Sequence, residues 1–156
     1  MKIYFAAPLF NEAECHYNLY ITEKLEKLGY TVFLPQRDGI MDDTYDDPSP
    51  ANKQSQEKIY HEIFNLDREN IIDSDIFLFI LDGRVPDEGA CVELGIAYEH
   101  KIQRQKPKYI IGLHTDTRAA HLGAKFNPMI KVPIDFLAED DQDLLLYLQE
   151  LLKQNK

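Results

Sequence analysis

Four acidic residues stand where packing alone does not ask for them: Asp67, Asp82, Asp87 and Glu93. Asp67 falls on the stripe Tyr60, Phe64, Asp67 and Ile71, whose spacing is that of one helical face. A carboxylate on an otherwise apolar stripe must be hydrogen-bonded, paired or open to a cavity. It is therefore either a structural group held by backbone or a nearby Arg, or a functional one; perturbed carboxylates arise both ways. Glu93 lies in Gly89-Ala90-Cys91-Val92-Glu93-Leu94-Gly95-Ile96-Ala97, with Gly89, Ala90 and Ala97 at i−4, i−3 and i+4. Such small neighbours leave room for a ligand beside the charge, and they equally permit close packing of a helix on a sheet. Asp87 sits where an N-cap is expected, with Glu88 adding favourable charge at the same helix end. Capping alone accounts for it, yet the loop it closes leaves a central strand together with Asp82.

Several carboxylates around one crevice suit glycosidic-bond chemistry. One serves as nucleophile and another protonates the leaving group. Repulsion between them raises one pKa and leaves the other ionised. Carboxylates also suit a divalent cation, which favours oxygen ligands. The histidines add nothing to that case, because His16, His61, His100, His114 and His121 show no paired ligand spacing. No GxGxxG, Walker loop or GxSxG occurs. Neither a metal nor an organic cofactor is expected.

The elements that must position these groups follow from periodicity and punctuation. Lys2 to Ala7 reads as a strand ending at Pro8. Asn11 offers an N-cap, with Glu14 in capping-box register, to a helix running to Leu28. Gly29 ends it. Tyr30 to Leu34 is a second strand. Pro35 to Asn52 holds three prolines and five aspartates without periodicity, which reads as a loop, either a solvated one or a lid over a pocket. A helix is expected from Ser55 to Ile72. Ile76 to Leu81 is apolar at every position, as in a strand buried on both faces. A further helix spans Glu88 to Gln103, followed by strands at Lys108 to Leu113 and Ile130 to Ile134. Acidic Glu139 to Asp141 open a C-terminal helix with leucines at 144, 148 and 151. Alternating strands and helices imply an α/β fold: one doubly wound, parallel, five-stranded sheet of flavodoxin-like order 2-1-3-4-5, over a single domain of residues 1–156. In such sheets the ligand sits at the carboxyl ends of the strands, at the switch point. Here that is between Ala6–Phe10 and Asp82–Glu88.

With 156 residues and a hydrophobic fraction of 44%, the chain is long enough to bury a core. The net charge of −10 repels phosphate backbones, so a nucleic acid polymer is not an expected partner. The longest strongly apolar run, Ile76 to Leu81, falls short of the ~20 residues a spanning helix needs. Pro8 and the acidic residues after it argue against a signal peptide. Cys15 and Cys91 form no disulfide or metal spacing, so a cytoplasmic, reduced setting is expected.

Three segments resemble the nucleoside 2-deoxyribosyltransferases: Ile3-Tyr4-Phe5-Ala6-Ala7-Pro8-Leu9-Phe10; Asn65-Leu66-Asp67 followed by Ile72-Asp73-Ser74-Asp75; and Asp82-Gly83-Arg84-Val85-Pro86-Asp87-Glu88-Gly89-Ala90-Cys91-Val92-Glu93-Leu94-Gly95. The likeness runs through about the first 130 residues, and the third segment is the most specific. It implies transfer of 2-deoxyribose between nucleobases through a covalent deoxyribosyl ester on Glu93. Asp67 would exchange protons with the base, Asp87 would contact the sugar hydroxyls or handle protons, and Tyr4 would hydrogen-bond the nucleophile. Gln36, Asp82, Gly83, Gly89, Asn127 and Met129 would bind substrate, Asn127 by reaching the site of a neighbouring subunit in a homo-oligomer. The expected partners are small-molecule deoxynucleosides and bases, with no membrane. Some members place an aromatic chain terminus in the site. Here a leucine-rich helix ending Gln154-Asn155-Lys156 follows instead, and the likeness does not extend to that contribution.

Two other functions fit the same residues less well. An N-glycosidase acting on deoxynucleoside 5′-monophosphates needs Ser, Arg or Gly groups to hold the phosphate, and none cluster after the first strand. A non-catalytic nucleotide-binding module needs no acidic nucleophile.

Overall fold

The computed structural model describes residues 1–40, 50–83, 85–104, 108–116 and 126–155, with side chains at 50–55 left aside. Five parallel strands form one sheet in the order β2-β1-β3-β4-β5. They are β1 (Lys2–Ala6), β2 (Thr31–Phe33), β3 (Ile76–Ile80), β4 (Tyr109–Leu113) and β5 (Phe136–Ala138). The described helices are α1 (Glu12–Lys27), α2 (Pro35–Asp38), α3 (Pro50–Asp73), α4 (Glu88–Gln103), α5 (Pro128–Lys131) and α6 (Asp141–Gln154). This is the expected flavodoxin-like α/β fold. Among the described residues no helix is long and apolar enough to cross a membrane.

Side chains alternate between the two faces of the sheet, so each strand feeds two cores. Ile3, Phe5, Ile76, Leu78 and Ile111 meet Ile21 and Leu25 of α1 and Leu144 and Leu148 of α6. Tyr4, Ala6, Phe77, Phe79 and Ile110 meet Ile71 of α3 and Ala90, Leu94 and Ala97 of α4. The second face carries the groups of chemical interest. Its helices approach closely because the buried residues of α4 are small or unbranched at Cβ.

Caps mark the helix starts. Asn11 accepts from the Glu14 amide at 3.1 Å. Glu14 returns a carboxylate to the Phe10 amide at 2.9 Å, one residue before the cap itself. After α1 the chain turns at Gly29, whose φ of +98° is open to glycine without strain.

Two expectations are corrected. Pro35–Asn52 is not one uninterrupted loop, since α2 fills Pro35–Asp38 and α3 begins at Pro50. Proline at the first helical position explains both starts, because its missing N–H has no intrahelical partner there anyway. The proposed lid rests largely on residues 41–49, which lie outside the described residues. The last strand is Phe136–Ala138 and not Ile130–Ile134. Asn127 caps the turn of α5 by accepting from Met129 N at 2.9 Å, and Pro128 starts it, so the apolar residues 129, 130 and 132 belong to a helical turn and its end.

The C-terminal end of α3 is held from below by cations. Lys108 is 1% exposed, and its ammonium donates to the carbonyls of Ile71 and Ser74 and to the Ser74 hydroxyl. Arg104 also donates to the Ser74 carbonyl, at 2.8 Å. Lys2 reaches Asn70 at 2.9 Å and Asp73 at 2.8 Å. Positive charge at this end matches the helix dipole, and Asp67 lies one turn upstream of Ile71.

Gly112 of β4 lies where the sheet is most tightly covered. A Cβ there would fall 2.8 Å from Leu137 Cδ1 and 2.9 Å from Leu81 Cδ1. Both are ends of flexible side chains, which limits the damage. Gly112→Val is expected to destabilise by about 1–3 kcal/mol, and Gly112→Ala by less, as urea unfolding of the two variants will show.

Candidate active site

Tyr4 occupies the central strand pair and points to the α3/α4 face. Its ring is 0% exposed and is stacked between Phe33 and Phe77, with centroids 5.6 and 5.8 Å away. Two flat neighbours leave the phenol one direction in which to extend. At its end the hydroxyl donates to Glu93 Oε1 at 2.6 Å. Glu93 stands in the second turn of α4, so a β-strand phenol and a helix carboxylate meet beneath one cavity.

That cavity has a volume of about 330 Å³ and lies between the two helices. Helix α3 contributes Tyr60, Phe64, Asp67, Arg68 and Ile71; α4 contributes Gly89, Val92, Glu93 and Ile96. The stripe Tyr60, Phe64, Asp67, Ile71 therefore does share one face, but that face lines a cavity as well as the core. Only Ile71 is fully buried, while Tyr60 and Phe64 are half exposed. Asp67, on this stripe, opens onto the same space as Glu93.

Burial governs the protonation of both carboxylates. It pushes Asp67 up to about 6, with the Tyr4 hydroxyl pulling the other way. It pushes Glu93 up to about 7; the Tyr4 hydrogen bond opposes this, and the charges of Asp67 and Asp87 reinforce it. Tyr4 is driven upward by its own burial and by Glu93 and Asp67, so it stays a hydrogen-bond donor throughout the neutral range. Between about 6 and about 7 the two carboxylates hold roughly one proton together. The Tyr4 hydroxyl opposes the rise of both carboxylates, and a proton shared by the pair relieves the repulsion that Asp67 exerts on Glu93.

Asp87 is the N-cap of α4, accepting from Ala90 N at 2.8 Å, and it also acts on Glu93 through space. Capping and proximity to the site are the same fact here, because the cap is fixed six residues before Glu93 at the start of the same helix. Around Glu93 the small residues divide. Ala90 and Ala97 are buried against the sheet, and Gly89 lines the cavity. A Cβ on Gly89 would come within 3.2 Å of Asp87 Oδ1. Gly83 makes the turn after β3, with a φ of +118°.

The other expected site residues lie away from this wall. Asp82 spends its carboxylate on Thr115, accepting from its amide and its hydroxyl at 2.6 Å each, and on the Asp116 amide at 3.1 Å. This ties the ends of β3 and β4 together. Gln36 accepts from Asn18 at 2.8 Å and donates to the Cys15 carbonyl at 3.0 Å. Asn18 in turn donates to the Pro8 carbonyl at 2.9 Å, so this network fixes the turn after β1. Asn127 and Met129 are exposed on α5. Tyr60, Phe64 and Arg68 are cavity residues that pattern reading did not single out as functional. Their signal was the company of Asp67 on one helical face. Among the described residues no three metal-ligating side chains converge.

Comparison with known proteins follows the same geometry. A family model described as nucleoside 2-deoxyribosyltransferase matches residues 3–144. Among solved structures, a conserved protein from Enterococcus faecalis V583 is 26% identical with a TM-score of 0.71, covering 96% of this chain and 98% of that one. A 2-deoxyribosyltransferase from Bacillus psychrosaccharolyticus is 26% identical with a TM-score of 0.68, over 93% and 90% of the two chains. A 2-desoxiribosyltransferase from Leishmania mexicana, at 18% identity and a TM-score of 0.56 over 96% and 97%, shares the fold. No curated protein matches significantly. The match over nearly the whole chain, on a fold of the right strand order, makes this protein a member of the nucleoside 2-deoxyribosyltransferase family.

Proposed function

We propose that the protein exchanges the base of a 2′-deoxynucleoside, passing the deoxyribose through a covalent ester on Glu93. One observation carries the reading: the 2.6 Å hydrogen bond from the Tyr4 hydroxyl to Glu93, under a cavity that also holds Asp67. Family membership and the likeness to the Bacillus psychrosaccharolyticus enzyme support the reaction class.

The free oxygen of ionised Glu93 attacks C1′. The C–N bond breaks with its electron pair going to the base, and Asp67 delivers a proton to that base. The transition state has oxocarbenium character, which the adjacent carboxylate stabilises in a poorly solvated setting. A second base enters, gives its proton to Asp67 and attacks C1′. Glu93 leaves, and two inversions return the original configuration. The phenol keeps Glu93 oriented, and it also makes the carboxylate a better leaving group in the second half. Asp87, close to Glu93, is assigned to the sugar hydroxyls. Gly89 and Gly83 leave the approach to the sugar open, and Asp82 and Gln36 act on the substrate through the loops they brace. Asn127 and Met129, both exposed, are assigned to the site of a neighbouring subunit in a homo-oligomer.

Purified protein with thymidine and adenine is expected to yield deoxyadenosine and thymine by chromatography, with deoxyinosine as donor if thymidine is inert. Glu93→Gln is expected to lower the rate at least about 10³-fold. Free deoxyribose without any new nucleoside would overturn the reading.

The pH dependence follows from the two carboxylates. Below about 6 both are protonated and the nucleophile is lost; above about 7 both are ionised and the acid is lost. A bell-shaped kcat/KM profile with its maximum between these values is expected. Tyr4→Phe removes a hydrogen bond that favours ionised Glu93, so its acid limb should move up by about one pH unit. An acid limb that stays in place would separate Tyr4 from the nucleophile.

The same burial has a cost in stability. A carboxylate whose pKa rises on folding binds more protons folded than unfolded, so stability falls as pH rises from the unfolded value of 4.5 through about 7. Glu93→Gln removes that penalty. The variant should be more stable than the parent at pH 8, by about 3 kcal/mol, and no more stable at pH 4. Thermal melts at the two pH values measure this independently of activity.

A further inference from the structure

Arg68 lines the cavity beside Asp67, and it also lines a neighbouring cavity of about 450 Å³ along the same helix pair. Its side chain is exposed and makes no hydrogen bond or ion pair among the described residues. An unpaired guanidinium is conspicuous in a chain of net charge −10, where a carboxylate partner is easily found. Its electrostatic effect falls instead on His100, which it pushes toward the neutral form after burial, Lys108 and Arg104 have done so.

The base end of the cavity therefore has a definite polarity. Arg68 carries five N–H donors and no acceptor. Asp67, when protonated to serve the leaving base, is a second donor on the adjacent residue. Phe64, Val92 and Ile96 present only apolar surface, and the Tyr60 hydroxyl can donate or accept. The acceptor oxygens of Glu93 are taken, one by Tyr4 and the other by C1′. A base placed here meets donors in excess of acceptors. A 6-oxopurine presents two adjacent acceptors, O6 and N7, the pattern a guanidinium reads well, whereas adenine replaces O6 with an amine donor. At the Arg68 guanidinium, which offers donors only, that amine faces N–H groups.

We infer that Arg68 is the specificity-determining residue of the base subsite, selecting nucleobases that present a ring carbonyl over those that present an exocyclic amine. This rests on the transfer reading. The test is an internal competition: hypoxanthine and adenine at equal concentration with one deoxynucleoside donor, thymidine or else deoxyguanosine, with deoxyinosine and deoxyadenosine quantified in one chromatogram. The parent should favour deoxyinosine roughly tenfold, and Arg68→Met should bring the ratio to about one. Arg68 is exposed, so folding should be unaffected; Arg68→Gln serves as a second variant. A parent without preference, or a ratio that both variants leave unchanged, overturns the inference and leaves the transfer reading standing. Calorimetric titration of Glu93→Gln with each base, with and without Arg68→Met, separates the two claims. Hypoxanthine bound more tightly than adenine only when Arg68 is present sustains the inference even where no transfer is seen, and equal binding overturns it.

Discussion

The hydrogen bond between Tyr4 and Glu93 joins the two halves of the site, and most of the surrounding structure is arranged so that it can form. A phenol on a central strand is among the least mobile groups a protein can offer. Here Phe33 and Phe77 hold it flat on either side, and the sheet register places Phe33 and Phe77 directly opposite Tyr4 on the flanking strands. The stacking thus follows from strand pairing: a shift of one residue in either neighbour would turn that side chain to the other face. A buried carboxylate needs a donor, and a buried phenol needs an acceptor. Each supplies what the other lacks, at a point where the chemistry needs a carboxylate of fixed direction.

Helix packing sets the rest. Asp67 and Glu93 come from different helices, so their separation depends on how α3 and α4 sit on one face of the sheet. Helix α4 lies close because Ala90 and Ala97 pack beneath it. Helix α3 is pinned at its C-terminal end by Lys2, Arg104 and Lys108, whose N–H donors meet its last carbonyls and side chains. Toward its N-terminal end the same helix leaves Tyr60 and Phe64 half exposed along the cavity. One helix is thereby rigid where its carboxylate is placed and open where a ligand must enter.

Much of this was legible in the sequence, and the reasons differ by element. Ile76–Leu81 announced the central strand because only a strand covered on both faces is apolar throughout, and Glu88–Gln103 was bounded by an acidic cap and a change of composition. Asp67 stood out as a charge on an apolar stripe, Glu93 as a charge among small helical neighbours and Asp87 as a cap at the switch-point loop, while Tyr4 was reached only through the likeness of its segment to a family. What escaped was set by proline chemistry and tertiary partners. Pro35, Pro50 and Pro128 start helical turns that look like loop or strand to a reader following hydrophobicity. Asp82 and Gln36 lie in suggestive segments, but their hydrogen bonds to Thr115 and Asn18 are long-range and leave no local pattern. Arg68 was hidden for the opposite reason, since a charged residue on a helix surface is ordinary until the cavity beside it is seen.

In the proposed reaction the same burial serves both chemistry and selectivity. An exposed carboxylate pair would be fully ionised at neutral pH, able to attack but with no proton to give the departing base. Taking both groups out of water raises both pKa values, to about 6 and about 7, and the charge of Asp67 adds to the rise at Glu93. The Tyr4 hydroxyl opposes the rise at both carboxylates and holds Glu93 by a direct hydrogen bond. Asp67 stands next to Arg68, and both line the same cavity. In the proposed reaction, acid catalysis and base recognition draw on one arrangement: the Glu93 carboxylate held by Tyr4 under the sugar, facing Asp67 and Arg68 beside the base.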